Sequence, residues 1–80
     1  MKHLLIVAHG SRREQSNSEV KLLAEKVAAN KLFAIDEVLV AFLEFASPSI
    51  AEAINTSFTQ GVEEIIVLPY FLSTGNHVIR

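Results

Sequence analysis

The chain has no cysteine and no tryptophan, and only two prolines and three glycines in 80 residues. Without thiols there is no disulfide framework and no thiolate metal site. Packing or a partner must therefore supply the stability that many small domains draw from staples. An excess of one charge is also missing. Seven Lys and Arg stand against nine Asp and Glu, for a net charge of −2. That balance offers no electrostatic basis for holding nucleic acid or an anionic membrane surface. No apolar run approaches the ~20 residues needed to span a bilayer. Lys2 ahead of Leu4–Ala8 makes only a faint signal-peptide pattern, too short and interrupted by His9. The expectation is a cytoplasmic protein with no membrane or nucleic-acid partner. Repeats, low-complexity segments and linkers are absent too, so residues 1–80 read as a single domain.

Half of the residues are apolar, too many for a disordered chain, and they are distributed in a pattern. Leu4–Ala8 is an unbroken apolar run that switches abruptly to His9-Gly10-Ser11-Arg12-Arg13. Such a run, rich in branched residues and closed by Gly, predicts a strand buried on both faces. Ser11-x-x-Glu14 and Ser16-x-x-Glu19 are two overlapping capping boxes, either of which suits a helix start. Val20, Leu23, Ala24, Val27 and Ala28 form one apolar stripe, Lys21 and Glu25 an i,i+4 pair, and Asn30 a stop. Val38–Leu43 is a second buried strand, ending on Glu44. Ser47 is placed to cap the next helix with Pro48 at its first position. Ile50, Ala51, Ile54 and Phe58 supply its stripe, and Gly61 ends it. Ile65–Leu68 is a third strand, halted by Pro69.

The order βαβαβ with all-apolar strands predicts parallel pairing through right-handed crossovers. The expected fold is α/β, a three-layer flavodoxin-like half with strand order 2-1-3. In that order strands two and three are both apolar edges, which invite pairing with another chain. An oligomer, a missing C-terminal part, or both would cover them.

Parallel strands send their carboxyl ends to one rim, where open α/β sheets bind ligands. His9 follows strand one, Glu44 follows strand two, and His77 lies in the loop after strand three. Imidazole with carboxylate suits Co²⁺, Fe²⁺, Ni²⁺ or Zn²⁺, and neutral imidazole accepts protons near pH 7. A carboxylate set between Leu43 and Phe45 is costly if buried alone, so the competing reading for Glu44 is an ion pair with one of the arginines. Gly10-Ser11 at a helix start exposes backbone N–H groups to anions, and Arg12 and Arg13 add charge-assisted contacts to carboxylates or phosphates. Tyr70 and Phe71 are placed to wall a flat apolar ligand. No Gly-x-Gly-x-x-Gly, Walker loop or Gly-x-Ser-x-Gly elbow is present. Ala8 stands where a histidine phosphatase would need arginine before His-Gly.

Together, Ala8-His9-Gly10-Ser11-Arg12, Phe42-Leu43-Glu44-x-Ala46-x-Pro48-Ser49-Ile50, Gly61, Ile66-Val67-Leu68-Pro69-Tyr70-Phe71-Leu72 and Gly75-x-His77-Val78 resemble the small sirohydrochlorin cobaltochelatases of the CbiX type. The related sirohydrochlorin ferrochelatases look similar. The resemblance spans nearly the whole chain with the motifs in order. It implies a class II chelatase (a lyase) that inserts a divalent metal, Co²⁺ first and Fe²⁺ or Ni²⁺ otherwise, into sirohydrochlorin in cobalamin or sirohaem biosynthesis. No organic cofactor is implied, and a homodimer is. The family's two histidines match His9 and His77, and its acidic residue matches Glu44. On this basis His9, His77 and Glu44 are expected to hold the metal and handle protons, and Ser11, Arg12, Arg13, Tyr70 and Phe71 to contact the tetrapyrrole. Family chains continue past position 80 with a further helix and strand, so the resemblance implies that this chain lacks that part. The alternative function is a non-catalytic metal-binding or tetrapyrrole-carrying domain.

Overall fold

A computed structural model describes residues 1–30 and 34–70. The element order is β1 (Lys2–Ala8), α1 (Glu14–Asn30), β2 (Glu37–Phe42), α2 (Ile50–Thr59) and β3 (Glu64–Tyr70). The strands form one parallel sheet in the order β2-β1-β3, as the sequence pattern predicts. Leu5 is paired with Leu39 on one side and Val67 on the other. This register brings Ala8, Phe42 and Tyr70 level with one another at the carboxyl rim.

Alternation along β1 divides the core into two halves. Leu5 and Val7 pack with Ala41 and Ala53 under α2, joined by Leu39, Ile50, Ile54 and Ile65. Leu4 and Ile6 pack with Ala24 under α1, joined by Val20, Val27, Ile35, Val38, Val40 and Tyr70. One helix therefore lies on each face, giving three layers. Both cover β1 and β2 better than β3, where Ile66, Val67 and Leu68 are 37%, 51% and 45% exposed. Adjacent strand residues point to opposite faces, so from Ile66 to Leu68 both faces of this edge strand are left open by the described residues. Among the described residues no helix is long and apolar enough to cross a membrane.

Several local expectations are corrected. Neither serine box starts α1, which begins at Glu14, and the Arg13 N–H instead donates to Ser11 Oγ at 3.0 Å. Ala28 is exposed, and the stripe includes Asn17, 3% exposed. Lys21 lies 5.9 Å from the Phe42 ring centroid rather than bonding Glu25. In α2 the cap is Ser49, not Ser47, so Pro48 precedes the helix. Ser49 Oγ accepts from the Glu52 N–H at 3.1 Å while Glu52 Oε1 accepts from the Ser49 N–H at 2.8 Å. This reciprocal capping box satisfies two otherwise unpaired donors, and Pro48 is free to accept the Phe42 N–H on its carbonyl at 2.9 Å. The buried stripe of α2 is Ile50, Ala53, Ile54 and Ser57; Ala51 faces out and Phe58 is 66% exposed. Small Ala53 and Ser57 let the helix approach the sheet closely, and a Phe in their place would hold it off.

Gly61 does end α2. It has φ +79°, its N–H donates to the Phe58 carbonyl at 3.0 Å, and the Val62 N–H donates to Ser57 at 3.2 Å. This is a Schellman closure, with Val62 buried behind it. Pro69 does not halt β3: it lies within the strand, opposite Val7. An edge strand tolerates a residue that cannot donate to a ladder.

Candidate functional site

The rim of the sheet brings His9 and Glu44 together. His9 is the first residue after β1 and Glu44 the second after β2, and β1 and β2 are neighbours. Backbone bonds continue the pairing past the strand ends: the Leu43 N–H donates to the Ala8 carbonyl at 3.0 Å, and the Glu44 N–H to the His9 carbonyl at 3.1 Å. The two loops thus leave the sheet side by side. His9 Nε2 stands 3.2 Å from Glu44 Oε2, with the side chains 53% and 50% exposed. Glu44 is therefore not buried, and among the described residues its partner is the imidazole rather than Arg12 or Arg13.

Gly10 makes this approach possible. Its φ is +94°, and a β-carbon there would overlap the Glu44 carbonyl. Only glycine provides both the left-handed backbone and the empty space. Past it, Ser11 is held by buried Asn17. The Ser11 N–H donates to Asn17 Oδ1 at 3.0 Å, and Asn17 Nδ2 donates to the Ser11 carbonyl at 2.8 Å. A small cleft opens here, lined by Ala8, His9, Gly10, Ser11, Asn17 and Tyr70 among others.

Arg12 and Phe45 form a second bridge between the two loops. The guanidinium carbon lies 4.8 Å from the Phe45 ring centroid, within the range of a cation–π contact. Phe45 has φ 68°, a conformation bulky side chains seldom adopt, and in it the ring serves as a platform for Arg12. Arg13 is exposed and Ser11 half-buried. Tyr70 is half-buried at the end of β3, packed against the α1 half of the core and facing the cleft. His77 and Phe71 lie outside the described residues. Among those described, no group of three metal-ligating side chains comes together.

The sequence reading missed three contributors here: Asn17, Phe45 and the contact of Gly10 with Glu44. Asn17 had a signal, since it stands three residues before Val20 and so falls on the apolar stripe. Phe45 and the Gly10–Glu44 contact had none, because both depend on two loops 30 or more residues apart being adjacent.

Residues 3–80 match the protein-family profile CbiX. The sirohydrochlorin cobaltochelatase of Methanocaldococcus jannaschii is 41% identical over 80 residues, covering 100% of this chain and 54% of the relative. That of Methanococcus maripaludis is 39% identical with the same coverage. The chloroplastic sirohydrochlorin ferrochelatase of Arabidopsis thaliana is 38% identical over 78 residues, covering 92% of this chain and 32% of the relative. A crystal structure of a CbiX protein from Marinobacter aquaeolei VT8 superposes with a TM-score of 0.73 at 31% identity, over 98% of this chain and 62% of that one. The chain spans about half the length of the curated cobaltochelatases it matches. With the family profile covering all but the first two residues, this chain belongs to the CbiX family.

Proposed function

We propose that this chain takes part in inserting a divalent metal ion into sirohydrochlorin, Co²⁺ first, in cobalamin or sirohaem biosynthesis. Residues 1–80 act as one chelatase-like α/β unit, in the cytoplasm and as a homodimer. The metal ion is a substrate here, delivered and released with each turnover.

The pairing of His9 with Glu44 carries this reading. First-row ions bind imidazole nitrogen and carboxylate oxygen at ~2.0–2.2 Å. His9 Nε2 and Glu44 Oε2, 3.2 Å apart, would both reach one such ion, and imidazole with carboxylate suits Co²⁺, Fe²⁺ and Ni²⁺ alike. The half-exposed pair leaves the ion accessible from the solvent side, as transfer to a second ligand requires. A carboxylate beside the ring also stabilises the imidazolium formed when His9 takes a pyrrole N–H proton. His77 is assigned as a further ligand and base. Arg12 and Arg13 attract the carboxylates of sirohydrochlorin, and Ser11, Tyr70 and Phe71 contact the macrocycle; the Ser11 backbone N–H, expected to be open to anions, is taken by Asn17, which leaves the Ser11 side chain for this contact.

The test is absorbance spectroscopy of sirohydrochlorin with Co²⁺, with and without the chain, corrected for spontaneous insertion. A protein-dependent rate that disappears in His9→Ala is expected. Tight Co²⁺ binding with no rate enhancement would favour the carrier function instead.

A further inference from the structure

Asparagine is ordinarily a surface residue, yet Asn17 is 3% exposed. Both ends of its side-chain amide are used on one residue, accepting from the Ser11 N–H at 3.0 Å and donating to the Ser11 carbonyl at 2.8 Å. Buried polar groups are costly unless paired, and this paired ring of two bonds satisfies all four groups through one local shape. Asn17 is itself placed by helix α1, its own N–H reaching the Arg13 carbonyl at 3.4 Å.

The consequence falls on His9. Its carbonyl is held by the Glu44 N–H at 3.1 Å on one side of Gly10, and Ser11 is held by Asn17 on the other. Gly10, the most permissive residue type, lies between with φ +94°. Fixing the backbone on both sides removes the freedom that glycine would otherwise give the turn. We infer that Asn17 is a positioning residue: its buried amide clamps Ser11 and thereby sets the His9 imidazole on Glu44. The catalytic consequence rests on the proposed chelatase function; the structural consequence does not.

The experiment uses the isotopically labelled 80-residue chain, Asn17→Ala, Asn17→Asp and a control, Ser57→Ala. Asn17→Asp keeps the acceptor for the Ser11 N–H but turns the donor into an acceptor facing the Ser11 carbonyl. The carboxylate keeps the bond to the Ser11 N–H near the N-terminus of α1, where negative charge is favoured, so this variant is the milder of the two. Ser57→Ala removes a buried hydrogen bond from α2, away from the cleft, and reports what simple destabilisation does.

In Asn17→Ala, Ser11 amide exchange is expected to accelerate about tenfold or more, as a lost hydrogen bond allows; in Asn17→Asp, which keeps that acceptor, Ser11 is expected to be displaced by repulsion at its carbonyl instead. The nuclear Overhauser contact between the His9 ring and the Glu44 side chain is expected to vanish, while cross-strand contacts such as Leu5 to Leu39 remain. In the insertion assay, kcat is expected to fall about tenfold with KM within about twofold, and Ser57→Ala to change neither. Persistence of the His9–Glu44 contact overturns the inference. So does an equal loss of kcat in Ser57→Ala, or loss of the sheet in both Asn17 variants, which would make Asn17 a folding residue. If the unsubstituted chain inserts no metal while the resonance results come out as expected, the chelatase function falls and the role of Asn17 stands.

Discussion

Gly10 and Glu44 are packed backbone to backbone: the position of a Gly10 β-carbon is already occupied by the Glu44 carbonyl. Two loops that are 34 residues apart in the chain thereby become one surface, and the His9 imidazole meets the Glu44 carboxylate at 3.2 Å as a result.

This relationship separates two glycines that look alike in sequence. Gly10 and Gly61 both have positive φ, +94° and +79°, but around Gly61 there is open space. Gly61→Ala is expected to cost only the left-handed backbone term, about 1–2 kcal/mol. Gly10→Ala adds a collision with backbone that cannot rotate away, for a total of about 2–5 kcal/mol. Urea unfolding of both variants measures the difference; equal losses would show that the two loops part readily.

His9→Ala and Glu44→Gln are expected to leave stability within about 0.5 kcal/mol of the parent, because a polar pair half exposed to water contributes little. Co²⁺ insertion should be abolished in His9→Ala and in His77→Ala, and Co²⁺ affinity should fall about 10-fold or more in Glu44→Gln. Circular dichroism and absorbance titration check the two halves. Full activity in both histidine variants would remove them from the site.

At the opposite end of β1, His3 is fully buried, and its Nδ1 lies 2.9 Å from Ser57 Oγ. Among the described residues its Nε2 has no hydrogen-bond partner, with Glu37 Oε1 at 3.6 Å. Ser57→Ala leaves the ring with no hydrogen-bond partner and is expected to cost about 1–3 kcal/mol. Replacing both partners, His3→Leu with Ser57→Ala, should cost less than the two single changes added together. A thermodynamic double-mutant cycle reads the coupling, and strict additivity would mean that the bond contributes nothing.

The position of the α2 cap is equally open to measurement. Ser49→Ala removes one half of the box observed with Glu52 and is expected to cost about 0.5–2 kcal/mol. Ser47→Ala, at an exposed position outside the helix, should stay within about 0.5 kcal/mol. Thermal melts of the two variants would reverse in order if the helix began at Pro48.

The errors at helix ends and faces have one cause. Ser47-Pro48 is a good start signal by local chemistry, but Ser49-x-x-Glu52 is another two residues later, and local chemistry alone cannot rank them. The ranking comes from β2: Phe42 N–H takes the Pro48 carbonyl, which keeps Pro48 outside the helix. Phe58 joined the apolar stripe by hydrophobicity, but the sheet needed close approach and selected Ser57, which also bonds His3.

By itself the sequence determined the three strands, the two helices between them and the parallel 2-1-3 sheet. Apolar runs broken by amphipathic stretches leave few other ways to bury those surfaces. It also determined that His9 and Glu44 share a rim, because parallel strands all end on the same side. Only the tertiary structure decided that the two side chains touch, that Gly10 is required by the neighbouring loop, and that Asn17 reaches inward to hold Ser11. Those are contacts between segments distant along the chain, and their geometry is set by register and loop packing, which no local pattern of residues encodes.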